Sequence, residues 1–175
     1  QPSITQCPPQ TKNCISSSNI KDITKYSPPW SYSTSTEEAF KALKNSISSD
    51  QNLRITSSYL PSPSSPLSPL DSSPPYITAS ASRAFKDQDN LTFLFKPSDN
   101  LILFTTKEDN DDTKVPDFGA QRTRLINLRK ASGFEEMGRG VGSADVAGKK
   151  ESFGTQLKSF YGIQTGKGWE DIYED

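Results

Sequence analysis

Leu91-Thr92-Phe93-Leu94-Phe95-Lys96-Pro97-Ser98-Asp99-Asn100-Leu101-Ile102-Leu103-Phe104-Thr105-Thr106 holds two short apolar runs joined by Pro-Ser-Asp-Asn. The linker types suit a tight turn, because proline presets φ while Asp and Asn bond back to their own backbone. The stretch therefore reads as a hairpin of two strands, Leu91 to Lys96 and Leu101 to Thr106. Upstream, Tyr76 to Ala84 sets Tyr76, Thr78 and Ser80 against Ile77, Ala79 and Ala81, and Leu53 to Leu60 alternates in part. Four strands in succession at short spacing predict an antiparallel meander.

Helices flank it. From Thr34 to Ser49, Ser35 with Glu38 forms a capping box and Phe40, Leu43 and Ile47 recur at i, i+3 and i+7. From Asp117 to Lys130 a second helix is expected, with Asp117 as cap and Phe118, Leu125 and Leu128 near one face. The expected fold class is α+β: helix, four-stranded antiparallel meander, helix, with a Pro/Ser-rich loop and an extended C-terminal tail. The loop is Pro61 to Pro75, with six prolines and six serines, a composition that allows neither helix nor central strand and favours an extended polyproline-type path. Residues 1–137 read as a single α+β domain. Residues 138–175 hold eight of the ten glycines and read as a tail.

Of 175 residues only 31% are hydrophobic, and 26 are serine, so the core must be small. There is no histidine, which removes the commonest general base, the Ser–His and Cys–His pairs and every histidine metal site. The expectation is therefore a protein that is not an enzyme, with no cofactor and no metal. Twenty basic against 21 acidic residues give a net charge of −1, not the basic footprint of a nucleic-acid binder. No stretch approaches the roughly 18 apolar residues of a membrane span. The chain begins at Gln1 with neither an initiator methionine nor a signal-type apolar run; either a targeting segment has been removed or the chain was trimmed, and removal is the reading preferred.

Cys7 and Cys14 are the two cysteines, too few for a thiolate metal site. A disulfide is the economical reading and would imply an oxidising compartment; the alternative is a reduced pair on a proline-rich turn. A possible polar site is drawn from Asp87, Asp89, Arg122 and Arg129: Arg122 and Arg129 are seven apart and share a helix face from which a guanidinium could grip an anion, as Arg124 beside them could. Against this stands simple ion pairing with Asp87, Asp89 or Asp117. The run Glu108-Asp109-Asn110-Asp111-Asp112 fails the calcium-loop test, because Lys114 stands where that loop needs glycine; a solvated surface loop is expected. Asp117-Phe118-Gly119 lacks the companion motifs of a kinase, and the glycines from Gly138 to Gly148 lack phosphate-loop spacing. Phe153, Phe160, Tyr161, Trp169 and Tyr173 place five aromatics in the last 25 residues. A solvated tail is usually poor in aromatics, so these are the expected partner-binding residues; packing back on the domain is the other reading.

The order of these motifs resembles the family called domain of unknown function 1499. The resemblance runs from Cys7-Pro8 and Asn13-Cys14-Ile15-Ser16-Ser17, through Phe85-Lys86-Asp87-Gln88-Asp89, to Asp117-Phe118-Gly119-Ala120-Gln121-Arg122-Thr123-Arg124-Leu125. Gln88 and Gln121 stand where the family usually shows aspartate and asparagine, and Thr105 to Asp109 replace an Arg-Ser-x-Ser-Arg segment. The resemblance implies no established chemistry, and it implies an extracytoplasmic or organellar site, since members occur in bacterial envelopes and in chloroplasts. The function expected is a non-catalytic accessory or assembly subunit of a photosynthetic membrane complex, a photosystem or its antenna, bound on the lumenal side of the thylakoid. The alternative is a small-ligand-binding or carboxylate-dependent domain in an organelle or the bacterial periplasm.

Overall fold

A computed structural model describes residues 2–61, 73–82, 88–109 and 117–138. The chain divides into two units, Gln1–Met137 and Gly138–Asp175, and the architecture below belongs to the first. The proline-rich segment from 62 to 72, Asp87, and the tail aromatics Phe153, Phe160, Tyr161, Trp169 and Tyr173 lie outside the described residues.

Among the described residues the elements run β1 (Cys14–Ser16), β2 (Trp30–Ser31), α1 (Thr36–Ser49), β3 (Leu53–Tyr59), β4 (Tyr76–Ser82), β5 (Gln88–Lys96), β6 (Leu101–Glu108), α2 (Ala120–Ala131) and β7 (Glu135–Glu136). They form one mixed α/β layer pair whose seven strands are all paired antiparallel, in the order β3-β4-β5-β6-β2-β7, with β1 also on β6. The sheet is thus larger than a four-stranded meander. Its extra strands are two or three residues long, too short for a period of two to show in the sequence. They exist because β6 has a second edge: β1 pairs with it through Ile15 opposite Thr106 and β2 through Trp30 opposite Ile102. Its backbone groups are thereby satisfied on both sides.

The β5–β6 hairpin follows the expected turn. Residues 97–100 close it, and Asn100 takes a φ of 51°, a left-handed conformation that Asn tolerates. Alternation then sorts the strands. Leu91, Phe93 and Phe95 on β5, and Ile102, Phe104 and Thr106 on β6, are all fully buried, so one face of the sheet is dry. Trp30 fills its centre, with its ring centroid 4.7 Å from Phe104, 5.6 Å from Phe93 and 6.2 Å from Phe134.

Helix α1 starts at a capping box: the Ser35 hydroxyl accepts from the Glu38 amide and the Glu38 carboxylate accepts from the Ser35 amide, each at 3.2 Å. Its buried stripe is Ala39, Phe40, Leu43 and Ile47, laid on the sheet core with Leu125 and Leu128 of α2. Helix α2 departs from expectation at its start. It begins at Ala120 and not Asp117, behind Phe118 and Gly119, whose φ values are 50° and 83°. These two left-handed residues turn the chain before the helix begins. Phe118 therefore never joins the stripe of Leu125 and Leu128 and is 89% exposed.

Candidate functional site

The polar end of the β5–β6 ladder is built by the same alternation as its apolar middle. Two residues before Leu91 comes Asp89, two after Thr106 comes Glu108, and the two are direct cross-strand partners. Both side chains therefore point inward, and Asp89 is 0% and Glu108 6% exposed. Acidic side chains are almost never this buried unless partnered.

The partners come from α2 and from the segment before β1. Gln121 and Arg124, one helical turn apart, hang over the strand pair. The Gln121 side-chain amide donates to Asp89 Oδ1 at 2.8 Å and to the Asn13 carbonyl at 3.1 Å, while Arg124 Nη1 donates to Asp89 Oδ2 at 2.7 Å. Asn13 is the hub. Its Nδ2 donates to Glu108 Oε2 at 2.7 Å, its Oδ1 accepts from the Asp117 amide at 2.9 Å, and its carbonyl accepts from the Glu108 amide at 3.2 Å. Asp117 in turn holds the start of α2, its carboxylate accepting from the Gly119 amide at 3.0 Å and the Gln121 amide at 2.9 Å. It performs the work of a cap from two residues before Gly119, the formal N-cap, which has no side chain to offer.

A disulfide joins Cys7 and Cys14, which are 7% and 4% exposed with Cα atoms 5.8 Å apart. It closes the loop that ends at Asn13 and Cys14, so the hub is held covalently on one side and by β6 on the other. Asn19 Oδ1 accepts from the Cys7 amide at 3.1 Å, and Lys25 Nζ donates to the carbonyls of Pro8 and Pro9.

The structure does not bring Arg122 and Arg129 to a common anion. Arg122 Nη2 donates to the carbonyls of Thr24 and Tyr26 at 3.1 and 3.2 Å, and Arg129 Nη1 to the carbonyl of Phe134 at 3.2 Å, with Glu136 3.8 Å from Nε. Each guanidinium fastens a turn to α2. Asp89 is paired with Arg124, the arginine between them. Glu108 is not part of a solvated loop: it is the last residue of β6 and lies inside. Asn13, Gln121 and Glu108 carry the cluster, although the sequence offers Asn13 and Gln121 only within the motifs of the resemblance and Glu108 only within an acidic run. The signal was present for Glu108, which extends the buried series Ile102, Phe104, Thr106 by one more step of two. For Asn13 there is none, since its role depends on a contact 95 residues away in sequence.

Chemically the cluster joins two carboxylates, one guanidinium and two carboxamides through hydrogen bonds. Among the described residues no group of three or more Cys, Asp or Glu side chains is placed to hold a metal ion, and no helix is long and apolar enough to cross a membrane. An open cleft lies elsewhere, between the ends of α1 and α2, lined by Ser46, Asn52, Asn127 and Leu128 among others. No curated protein and no solved structure matches the chain. A family model described as protein of unknown function (DUF1499) matches residues 3–131, from before the disulfide to the last residue of α2, and the chain belongs to that family.

Proposed function

We propose that the protein is a non-catalytic accessory or assembly subunit of a larger membrane complex, held there in part by its C-terminal tail. One observation carries the reading: the acidic, amide and guanidinium groups best suited to chemistry are bonded to one another. Asp89 accepts at both carboxylate oxygens from α2, and Arg122 and Arg129 are bonded to carbonyls of this same chain. A catalytic carboxylate must reach a substrate proton, and 0% exposure of Asp89 opposes that. The cluster reads as a brace that fixes α2 and the disulfide loop to the sheet.

The buried disulfide supports an oxidising compartment. Together with the chloroplast members of the family, it makes the lumenal side of a photosynthetic membrane the compartment of choice, with a photosystem or its antenna as partner. The aromatic residues of the tail are of the type that anchors small subunits to large ones.

Deletion of residues 138–175 tests this. It is expected to abolish co-purification with the complex while the remaining unit keeps its cooperative unfolding; co-purification that survives the deletion refutes it. A second reading, a small-ligand or carboxylate-dependent domain, is favoured by the cross-strand register of Asp89 and Glu108. A panel of metabolites separates the two, since a ligand that raises the unfolding temperature of the whole chain belongs to the second.

A further inference from the structure

Large apolar side chains are exposed at three described positions, Ile20 at 46%, Ile23 at 74% and Phe118 at 89%. They sit on two turns that Arg122 ties together. Phe118 lies in the turn that enters α2, four residues before Arg122, whose Nη2 donates to the carbonyl of Thr24, the residue after Ile23. Neither turn is loose. The first is held by Asp117, through Asn13 and the amides of Gly119 and Gln121. The second is held by backbone bonds linking Ser16 to Asn19, Asn19 to Asp22 and Asp22 to Lys25.

Phe118 is the least expected of the three. At a φ of 50° it occupies a region where Gly, Asn and Asp are at home and a bulky side chain is an outlier. Folding recovers nothing by burying the ring, because the ring is not buried. Strain held in place by surrounding structure, at a residue with no role in the core, points to use at a surface.

Charge indicates which surface. Residues 2–26 carry three lysines against one aspartate, and residues 117–130, with Arg124 and Arg129 set aside because Asp89 and Glu136 meet their charges, carry Arg122 and Lys130 against one aspartate, three positive charges in excess in a chain whose net charge is −1. The remainder of the chain is therefore net negative by four. The basic excess coincides with the two segments that display the apolar side chains. Those side chains are exposed tips on two separate turns. Apolar tips among basic residues suit a deformable hydrocarbon phase beneath anionic headgroups.

We propose that the turns bearing Ile20, Ile23 and Phe118 dock the domain on an anionic lipid surface. The proposal concerns the folded unit and is independent of the tail reading. The test is flotation of the full chain with phosphatidylcholine vesicles, with and without phosphatidylglycerol, across a salt series. The protein is expected to float with the anionic vesicles and to be released as salt rises. Phe118→Gly and Ile23→Ser are each expected to lower the partition coefficient about tenfold, as loss of a buried apolar side chain implies. Glycine suits the left-handed φ, so Phe118→Gly is expected to unfold at or above the wild-type temperature, a measurement that separates loss of binding from misfolding. No flotation, equal flotation on neutral vesicles, or flotation undiminished by Phe118→Gly overturns the proposal. So does Phe118-dependent capture of an acidic protein without vesicle binding, which would put a protein where the lipid is proposed.

Discussion

Asp89 and Arg124 are bound by more than their opposite charges. Asp89 is fully buried, while the Arg124 side chain is 13% exposed, so removing the arginine takes the cation from Oδ2 of a buried carboxylate that Gln121 still holds at Oδ1, whereas removing the carboxylate leaves a guanidinium that can still reach water. Arg124→Ala is therefore expected to cost more than Asp89→Asn, about 3 kcal/mol against about 1–2 kcal/mol, by the usual cost of an orphaned buried ion. The double variant should cost clearly less than the sum of the two, a coupling that urea unfolding of all four proteins measures. Phe118 moves the other way. A left-handed non-glycine residue costs on the order of 1–3 kcal/mol, and the greater freedom of glycine in the unfolded chain returns part of that. Phe118→Gly should thus gain about 1 kcal/mol, read in the same titration; destabilisation would mean that the ring packs on something.

At the scale of elements, legibility in the sequence followed length and local signals. Helix α1 could be read because its cap, its acidic first turn and its stripe all lie within 14 residues, and β5 and β6 because each holds an apolar run, one on either side of a Pro-Ser-Asp-Asn turn. The strands β1, β2 and β7 could not, because two or three residues carry no period and are defined by the edge they meet. The entry to α2 misled for a different reason. Asp-Phe-Gly before a polar helix looks like cap and first turn, yet two successive left-handed residues break the path, and only Asp117 keeps a capping role. The same logic hid the cluster: Asp89 and Arg124 were visible singly, whereas Asn13 acts through contacts made by the whole fold. The two helices accordingly differ in what secures them. Ser35→Ala removes one local cap and should cost about 1 kcal/mol with no change elsewhere. Asn13→Ala removes the acceptor for the Asp117 amide and the donor for Glu108, so its loss should be larger and should appear as faster amide exchange at the start of α2, including Gln121.

Across the whole unit, the disulfide supports a fold whose apolar core is thin for its length. In a loop-entropy account, closing so short a loop as Cys7 to Cys14 stabilises by about 2–3 kcal/mol through the unfolded state alone. Its position adds a second effect, because Cys14 begins β1 and follows Asn13 directly, so the covalent tether also fixes the hub that joins Glu108, Gln121 and Asp117. If only the unfolded state were affected, Cys7→Ser with Cys14→Ser would lower stability while leaving native-state exchange at α2 slow in proportion to the global change. If the tether also positions the hub, amides at the α2 entry should exchange faster than the global loss accounts for, while those in β4 and at the middle of β5 follow it. The second pattern is expected, since the loop from Cys7 to Cys14 meets the rest of the unit largely through Asn13, Asn19 and Lys25. Hydrogen exchange of the double variant, resolved by residue and compared with its urea midpoint, distinguishes the two patterns. A uniform response would reduce the disulfide to a clamp on the unfolded chain.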